Sequence, residues 1–194
     1  MLTNEVPEQS AARVPEPRRQ GHRLIAVVLA VGLAAFCAAT ARLLMFPARG
    51  MPARVDAIVM LADQGDRYHE ALELARQHRA PYLAISLGAS SSSGQGTQCA
   101  AAIPQVKVIC FAPDLATTQG EAEYAGRLAA KYHWHSVALV TITPQAWRAR
   151  LRAGRCFSGR IYVMTGSLHA YGWPYEIAYE WAATFKALAL QRSC

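Results

Sequence analysis

The sequence predicts a three-layer α/β fold with a mostly parallel sheet of about five strands, plus an N-terminal transmembrane helix. Two observations predict the sheet: short apolar runs of strand length alternate with segments of helical spacing, and hairpin signals are missing between them. This alternation is typical of a parallel sheet with helices on both faces. A third observation, a long uncharged segment near the N-terminus, predicts the transmembrane helix.

The chain begins with two segments that precede the α/β domain. Residues 1–23 contain prolines and charges but few large apolar side chains, so we expect a disordered cytoplasmic tail. Residues 24–46 form the predicted membrane anchor, because no charge occurs before Arg42 and the apolar run resumes after it. About 18 uncharged residues are enough for a membrane-spanning helix. A linker over residues 47–54 then leads to a domain over 55–194.

The arginines around the apolar segment bear on its orientation. The arginines in front of the segment favour a cytoplasmic location for its N-terminal end, whereas the arginines behind it weaken this preference. A cleaved signal peptide is the competing interpretation, with Cys37-Ala38-Ala39 as its cleavage site. We interpret the segment as an uncleaved single-pass anchor in the cell membrane, with the domain extracytoplasmic. The two groups are Arg18, Arg19 and Arg23 in front, and Arg42, Arg49 and Arg54 behind.

Four cysteines lie beyond the anchor. They contain no Cys-x-x-Cys pair that would hold zinc, and an even number predicts two disulfides in an oxidising compartment. We predict Cys99–Cys110, which would close a Ser/Gly loop onto the third strand, and Cys156–Cys194, which would fasten the last helix to the domain. Four unrelated buried thiols are the alternative. A redox role for Cys99 and Cys110 is disfavoured, because their spacing suits a structural link better.

The domain elements follow from apolar periodicity and from proline and glycine punctuation. A polar turn and a helix follow the first strand, Pro81 ends that helix, and Ser90–Gly96 is expected to be a flexible loop. Pro174 begins the last helix, in which Ile177, Trp181, Phe185 and Leu188 recur at helical spacing. The predicted strands are Val55–Leu61, Tyr82–Ile85, Val106–Phe111, Val137–Val140 and Ile161–Met164.

The stretch from Thr117 to Arg150 carries the predicted site. Thr118 and Glu121 have the spacing of a capping box at a helix start. The strand and turn that follow this helix bring polar residues, with Arg150 beside them, to the carboxyl edge of the sheet. Open α/β folds bind their ligands at that edge. Helix starts and arginines suit an anionic ligand, and we expect Arg148 to point into the cleft. Alternatively, Thr118 and Glu121 only cap the helix, and the arginines pair with the carboxylates of Asp66 and Glu121. The predicted ligand-binding residues are Asp66, Arg67, Ser86, Thr118, Glu121, Thr141, Gln145 and Arg148.

Several short motifs in this order give the domain a resemblance to a bacterial family. They are Asp56-Ala57-Ile58-Val59-Met60-Leu61, Gly65-Asp66-Arg67, Ile85-Ser86-Leu87-Gly88, Thr117-Thr118-Gln119-Gly120-Glu121-Ala122, Val140-Thr141 and Arg148-Ala149-Arg150. From Asp56 onwards the chain resembles the YdcF/SanA/ElyC family (domain of unknown function 218). The resemblance implies a Rossmann-like sandwich, a membrane anchor and a role in cell-envelope biogenesis.

The chain departs from that family at positions that bear on catalysis. Ala62, Asp63 and Gln64 replace glycines after the first strand, and Ile142 and Gln145 replace a serine and a histidine. Glutamine cannot carry a proton as histidine does near neutral pH. Two function classes therefore stay open: a domain that binds or processes an anionic envelope precursor or nucleotide-like ligand, and a catalytically degenerate binding or scaffolding module.

Charge and composition limit the classes of partner that the domain is expected to bind. The net charge is +7, but the arginines are not interleaved with aromatic residues, so we predict no nucleic-acid partner. Anionic lipid head groups or acidic envelope polymers suit this charge better, besides the membrane reached by the N-terminal helix. His133-Trp134-His135 has no Asp, Glu or Cys next to it, so we predict no metal site and no cofactor.

Overall fold

The computed structural model describes residues 18–62, 66–88, 99–100 and 102–194. Residues 1–17 of the predicted tail, residues 63–65 of the polar turn and the predicted loop Ser90–Gly96 lie outside the described residues. The chain divides into two compact units, Met1–Ala38 and Ala39–Cys194.

The second unit contains a sheet of five parallel strands in the order β3-β2-β1-β4-β5. This confirms the predicted parallel α/β sheet, with β1 at its centre. Val59 of β1, for example, pairs with Ala84 of β2 on one side and with Leu139 of β4 on the other. The strands are β1 Ala57–Met60, β2 Tyr82–Ser86, β3 Lys107–Phe111, β4 Ser136–Ile142 and β5 Arg160–Gly166.

Helices cover both faces of this sheet. Ile58 points to one face and packs in a core cluster with Ala71 of α2, whereas Val59 points to the other, with Leu128 of α3 and Ala149 of α4. The alternation follows from the two-residue period of a strand, and it produces the predicted three layers. The helices are α1 Arg18–Thr40, α2 Arg67–Arg76, α3 Thr118–Tyr132, α4 Ala146–Cys156 and α5 Trp173–Ala189; a π-helical turn, Ala41–Met45, follows α1 and a 3₁₀ turn, Ala170–Gly172, precedes α5.

The apolar segment near the N-terminus is one helix, Gly21–Met45, long and apolar enough to cross a membrane. Its last part, from Ala39, belongs to the α/β unit, where Leu44 is buried. The predicted linker 47–54 contacts the edge strand of the sheet, since the Gly50 amide donates to the carbonyl of Val163 at 2.9 Å. The edge of β5 is therefore partly covered.

Both predicted disulfides are confirmed. Cys99 is bonded to Cys110 within β3, and Cys156 at the end of α4 is bonded to Cys194. The second bond fastens the segment after α5 to the helix that precedes β5. Cys37 on α1 keeps an exposed thiol.

Candidate functional site at the carboxyl edge of the sheet

The predicted ligand-binding residues lie at strand ends and helix starts, as the order of elements requires. Ser86 ends β2 and Thr141 is next to the end of β4, while Arg67 and Thr118 begin α2 and α3. Gln145 directly precedes α4. Seven of the eight are buried, namely Arg67, Ser86, Thr118, Glu121, Thr141, Gln145 and Arg148, and Asp66 is exposed.

Three of these side chains form one buried hydrogen-bonded chain. The Thr141 hydroxyl donates to Gln145 Oε1 at 2.5 Å, and Gln145 Nε2 donates to the Thr118 hydroxyl at 2.9 Å. Thr141 is 0% exposed and Gln145 is 5% exposed. An amide suits this place because it accepts on one atom and donates from the other. Hydroxyl and amide groups do not titrate near neutral pH. This hydrogen-bonded chain of side chains therefore connects β4, α4 and α3 but does not transfer protons.

The start of α3 differs from the predicted capping box. Thr117, which has an extended backbone with φ −141°, is the N-cap, and its hydroxyl accepts from the Gly120 amide at 3.2 Å. The prediction that Thr118 caps with Glu121 is wrong, because only the residue with the extended backbone can aim its oxygen at the first turn. A Cβ on Gly120 would collide with the carbonyl of Leu115, which explains the glycine in this motif.

Glu121 has a role outside its own helix. Its Oε1 accepts from the amide of Ala62 at 2.6 Å, and Ala62 follows the central strand β1. A buried carboxylate that accepts from a backbone amide is a strong, charge-assisted contact. The Glu121 side chain therefore fastens the start of α3 to the end of β1.

Arg67 holds the same end of β1 from the other side. Its Nη1 donates to the carbonyls of Leu61 at 3.3 Å and Ala62 at 2.5 Å, and the side chain is fully buried. The start of α2 also lies close to β5, because the Asp66 amide donates to Ser167 at 3.3 Å. Within the part of the chain that the structure describes, Arg67 therefore stabilises the end of β1.

Arg148 pairs with Glu180 of α5, so its contacts give no support to the expectation that it points into the cleft beside Asp66 and Arg67. Arg148 Nε donates to Glu180 Oε2 at 2.6 Å, and Nη2 donates to Oε1 at 2.7 Å. The two side chains are 7% and 1% exposed. Burial by itself lowers the pKa of Arg148, but the hydrogen bonds and charge of Glu180 outweigh it and raise this pKa.

Two further arginines on the same face of α4 hold the end of α5. Arg152 Nη1 donates to the carbonyl of Gln191 at 2.6 Å, and Arg155 Nη1 donates to Gln191 at 2.6 Å and to Ala187 at 3.0 Å. Carbonyls at the end of a helix attract cations. The pKa of Arg152 is lowered, first by burial and then by the charges of Arg155 and Arg148. Sequence reasoning missed Arg152 and Arg155, although their helical spacing from Arg148 puts all three on one face.

Asp56, the first residue of the family-like motifs, lies at the opposite, amino edge of the sheet. Its Oδ2 accepts from the amides of His135 at 2.7 Å and Ser136 at 2.8 Å, and from the Ser136 hydroxyl at 3.0 Å. Burial raises the pKa of Asp56, but these hydrogen bonds outweigh burial and lower it. Asp56 therefore joins the starts of β1 and β4 and takes no part in the carboxyl edge.

A surface cavity of about 510 Å³ lies between α4 and the first residues of β5. Arg150 lines this cavity, so it is not beside the predicted site residues at the carboxyl edge. Within the described residues no group of three or more His, Cys, Asp or Glu can hold a metal ion. The cavity is lined by Arg150, Gly154, Phe157, Ser158, Gly159, Arg160, Ile161 and Tyr162.

Comparisons with protein-family models, with curated proteins and with solved structures find no match to this chain. The resemblance to the YdcF/SanA/ElyC family therefore stays a prediction.

Proposed function

We propose that this chain is a membrane-anchored, extracytoplasmic α/β domain of the YdcF type that serves the cell envelope as a non-catalytic binding or scaffolding module. The apolar helix Gly21–Met45 supports the anchor, and the arginines in front of it support a cytoplasmic N-terminus. The two disulfides support an oxidising compartment for the domain.

The observation that carries the non-catalytic role is the hydrogen bonding of Gln145. Its amide joins the hydroxyls of Thr141 and Thr118 in the place where the resemblance implies a histidine. A general base must carry a proton and reach its substrate, and this buried amide does neither. These hydrogen bonds instead hold β4, α3 and α4 together.

The second candidate function is the binding of a small anionic or nucleotide-like ligand at the same edge of the sheet. The start of α3 favours it, because amides in the first turn of a helix attract anions. The positions of the charges oppose it: the Glu121 carboxylate lies at this helix start, and Arg148 is paired with Glu180. These contacts make a binding or scaffolding role without an anion the better-supported proposal.

Titration of the full-length protein in detergent separates the two candidates. With pyrophosphate and with a nucleoside diphosphate as probes, we expect no saturable change in tryptophan fluorescence. Gln145→His should not create hydrolysis of either probe, with Gln77→His at an exposed position as the matched control. Saturable binding that weakens with salt and is lost in Thr118→Val would instead establish the anion site.

The location is tested separately by labelling in intact cells. In a Cys37→Ala background, a cysteine placed at the exposed Ser158 should react with a membrane-impermeant maleimide without permeabilisation. The same background without the new cysteine gives the blank, because the other four cysteines are paired. Reaction only after permeabilisation would contradict the extracytoplasmic location.

A further inference from the structure

The two faces of α5 have reversed polarity. Its buried side carries Glu176, Glu180 and Thr184. A surface helix ordinarily buries its apolar stripe and exposes its polar one. Arg148 of α4 accounts for the inward position of Glu180, because its guanidinium binds that carboxylate. Several large apolar residues of α5 are consequently left exposed, although Ala187 is buried and Ile177 and Trp181 are partly buried.

The outward side of α5 is apolar and aromatic. Tyr175 is 67% exposed and Phe185 is 69% exposed, and the rings of Tyr175 and Tyr179 stack with their centroids 6.0 Å apart. Steps of three and four residues keep the set on one side of the helix, and Tyr171 in the preceding turn extends it. We call this set the outer face of α5; its residues are Tyr175, Ala178, Tyr179, Ala182, Phe185 and Ala189, all exposed.

The exposed charges of α5 and of the residues that follow it have one sign. Lys186 and Arg192 are exposed, whereas Glu176 and Glu180, the acidic residues between positions 171 and 192, are both buried. Tyrosine and tryptophan are enriched where a membrane meets water, and basic side chains beside an apolar helix face attract anionic lipids. Exposed tyrosines with basic residues beside them are compatible with contact to a lipid interface.

A hydrogen bond joins α5 to the last part of the apolar segment. Trp181 Nε1 donates to the Thr40 hydroxyl at 3.1 Å, and Thr40 belongs to the same compact unit as α5. The apolar segment ends at Met45. At a rise of 1.5 Å per residue, Thr40 is about 7–8 Å from that end. α5 is therefore bonded close to the end of the apolar segment.

We propose that the outer face of α5 is a membrane-contact surface, lying in the interfacial region of the bilayer with anionic phospholipid head groups against Lys186 and Arg192. The inference rests on the membrane anchoring proposed above. A second copy of the chain would be the other occupant of this face. Lipid is favoured because Trp181 bonds to Thr40, five residues before the end of the apolar segment and within the same compact unit.

Spin labels on the full-length protein test this placement. Phe185→Cys and Tyr175→Cys, each in the Cys37→Ala background, are labelled and reconstituted into vesicles of phosphatidylcholine and phosphatidylglycerol. Both positions are exposed, so the fold tolerates the change. Collision with oxygen, which partitions into lipid, is compared with collision with a water-soluble nickel chelate. The exposed Arg76→Cys at the end of α2 is the control.

We expect oxygen collisions to exceed nickel collisions at positions 175 and 185, and the reverse at position 76. Excess nickel collisions at both α5 positions would overturn the proposal, because the face would then be in water. Exclusion of both reagents together with spin–spin broadening would also overturn it, since a second copy would cover the face. Flotation with carbonate washing of the same vesicles tests anchoring alone: loss of the protein refutes the anchor, whereas retention confines a failure to the lipid contact.

Discussion

The buried ion pair between Arg148 and Glu180 makes the most discriminating stability prediction. Arg148→Met keeps much of the side-chain volume but leaves the Glu180 carboxylate, which is 1% exposed, without its cation. Removing one partner of a buried pair costs about 3–5 kcal/mol, because the remaining charge is neither solvated nor compensated. For a chain of this size that loss corresponds to a fall in Tm of roughly 6–20 °C.

Two controls separate the effect of burial from the effect of charge. Arg148→Met combined with Glu180→Leu removes both charges and should restore most of the stability, since apolar replacements of buried pairs are often neutral. Arg127 pairs with Asp114 at 3.0 Å, but these side chains are 53% and 81% exposed. Arg127→Met should therefore cost less than about 1 kcal/mol.

Urea unfolding of the full-length protein in detergent, without reductant, measures these differences. Tryptophan fluorescence reports on the transition, because Trp134 is buried in the core cluster under α3 and α4. If Arg148→Met costs no more than Arg127→Met, the buried pair does not hold α5 to α4. Arg148 would then again be available to a ligand at the carboxyl edge.

Two further predictions concern the amino edge and the disulfides. Because the pKa of Asp56 is lowered in the folded state, its contribution to stability is present above the ordinary pKa of 3.8 and is lost as the pH falls through the lowered value. Asp56→Asn should cost about 1.5 kcal/mol at neutral pH and flatten acid unfolding below pH ~4, and an unchanged acid transition would contradict this. Cys156→Ser with Cys194→Ser should cost about 1 kcal/mol more than Cys99→Ser with Cys110→Ser, since the disulfides span 38 and 11 positions; equal losses in urea unfolding would refute this loop-length argument.

The sequence alone was enough to predict the layers of the domain and the cysteine pairs. The run Val55–Leu61 is apolar at nearly every position, and such a strand requires cover on both faces, which α2 on one side and α3 with α4 on the other provide. Local spacing also predicted the start of α3 to within one residue. It could not decide between Thr117 and Thr118, because both hydroxyls are chemically able to cap and only the backbone conformation distinguishes them.

Only the tertiary structure decided what the arginines and the last helix contact. Spacing puts Arg148 on one face of α4, but it cannot say whether that face meets a ligand or a helix carrying Glu180, 32 positions away. The same holds for α5: Ile177, Trp181 and Phe185 predict a helix, yet Phe185 is exposed. Local periodicity identifies a helix and its faces, whereas the choice of the buried face depends on partners brought together by the whole fold. Here a buried ion pair outweighs the apolar stripe.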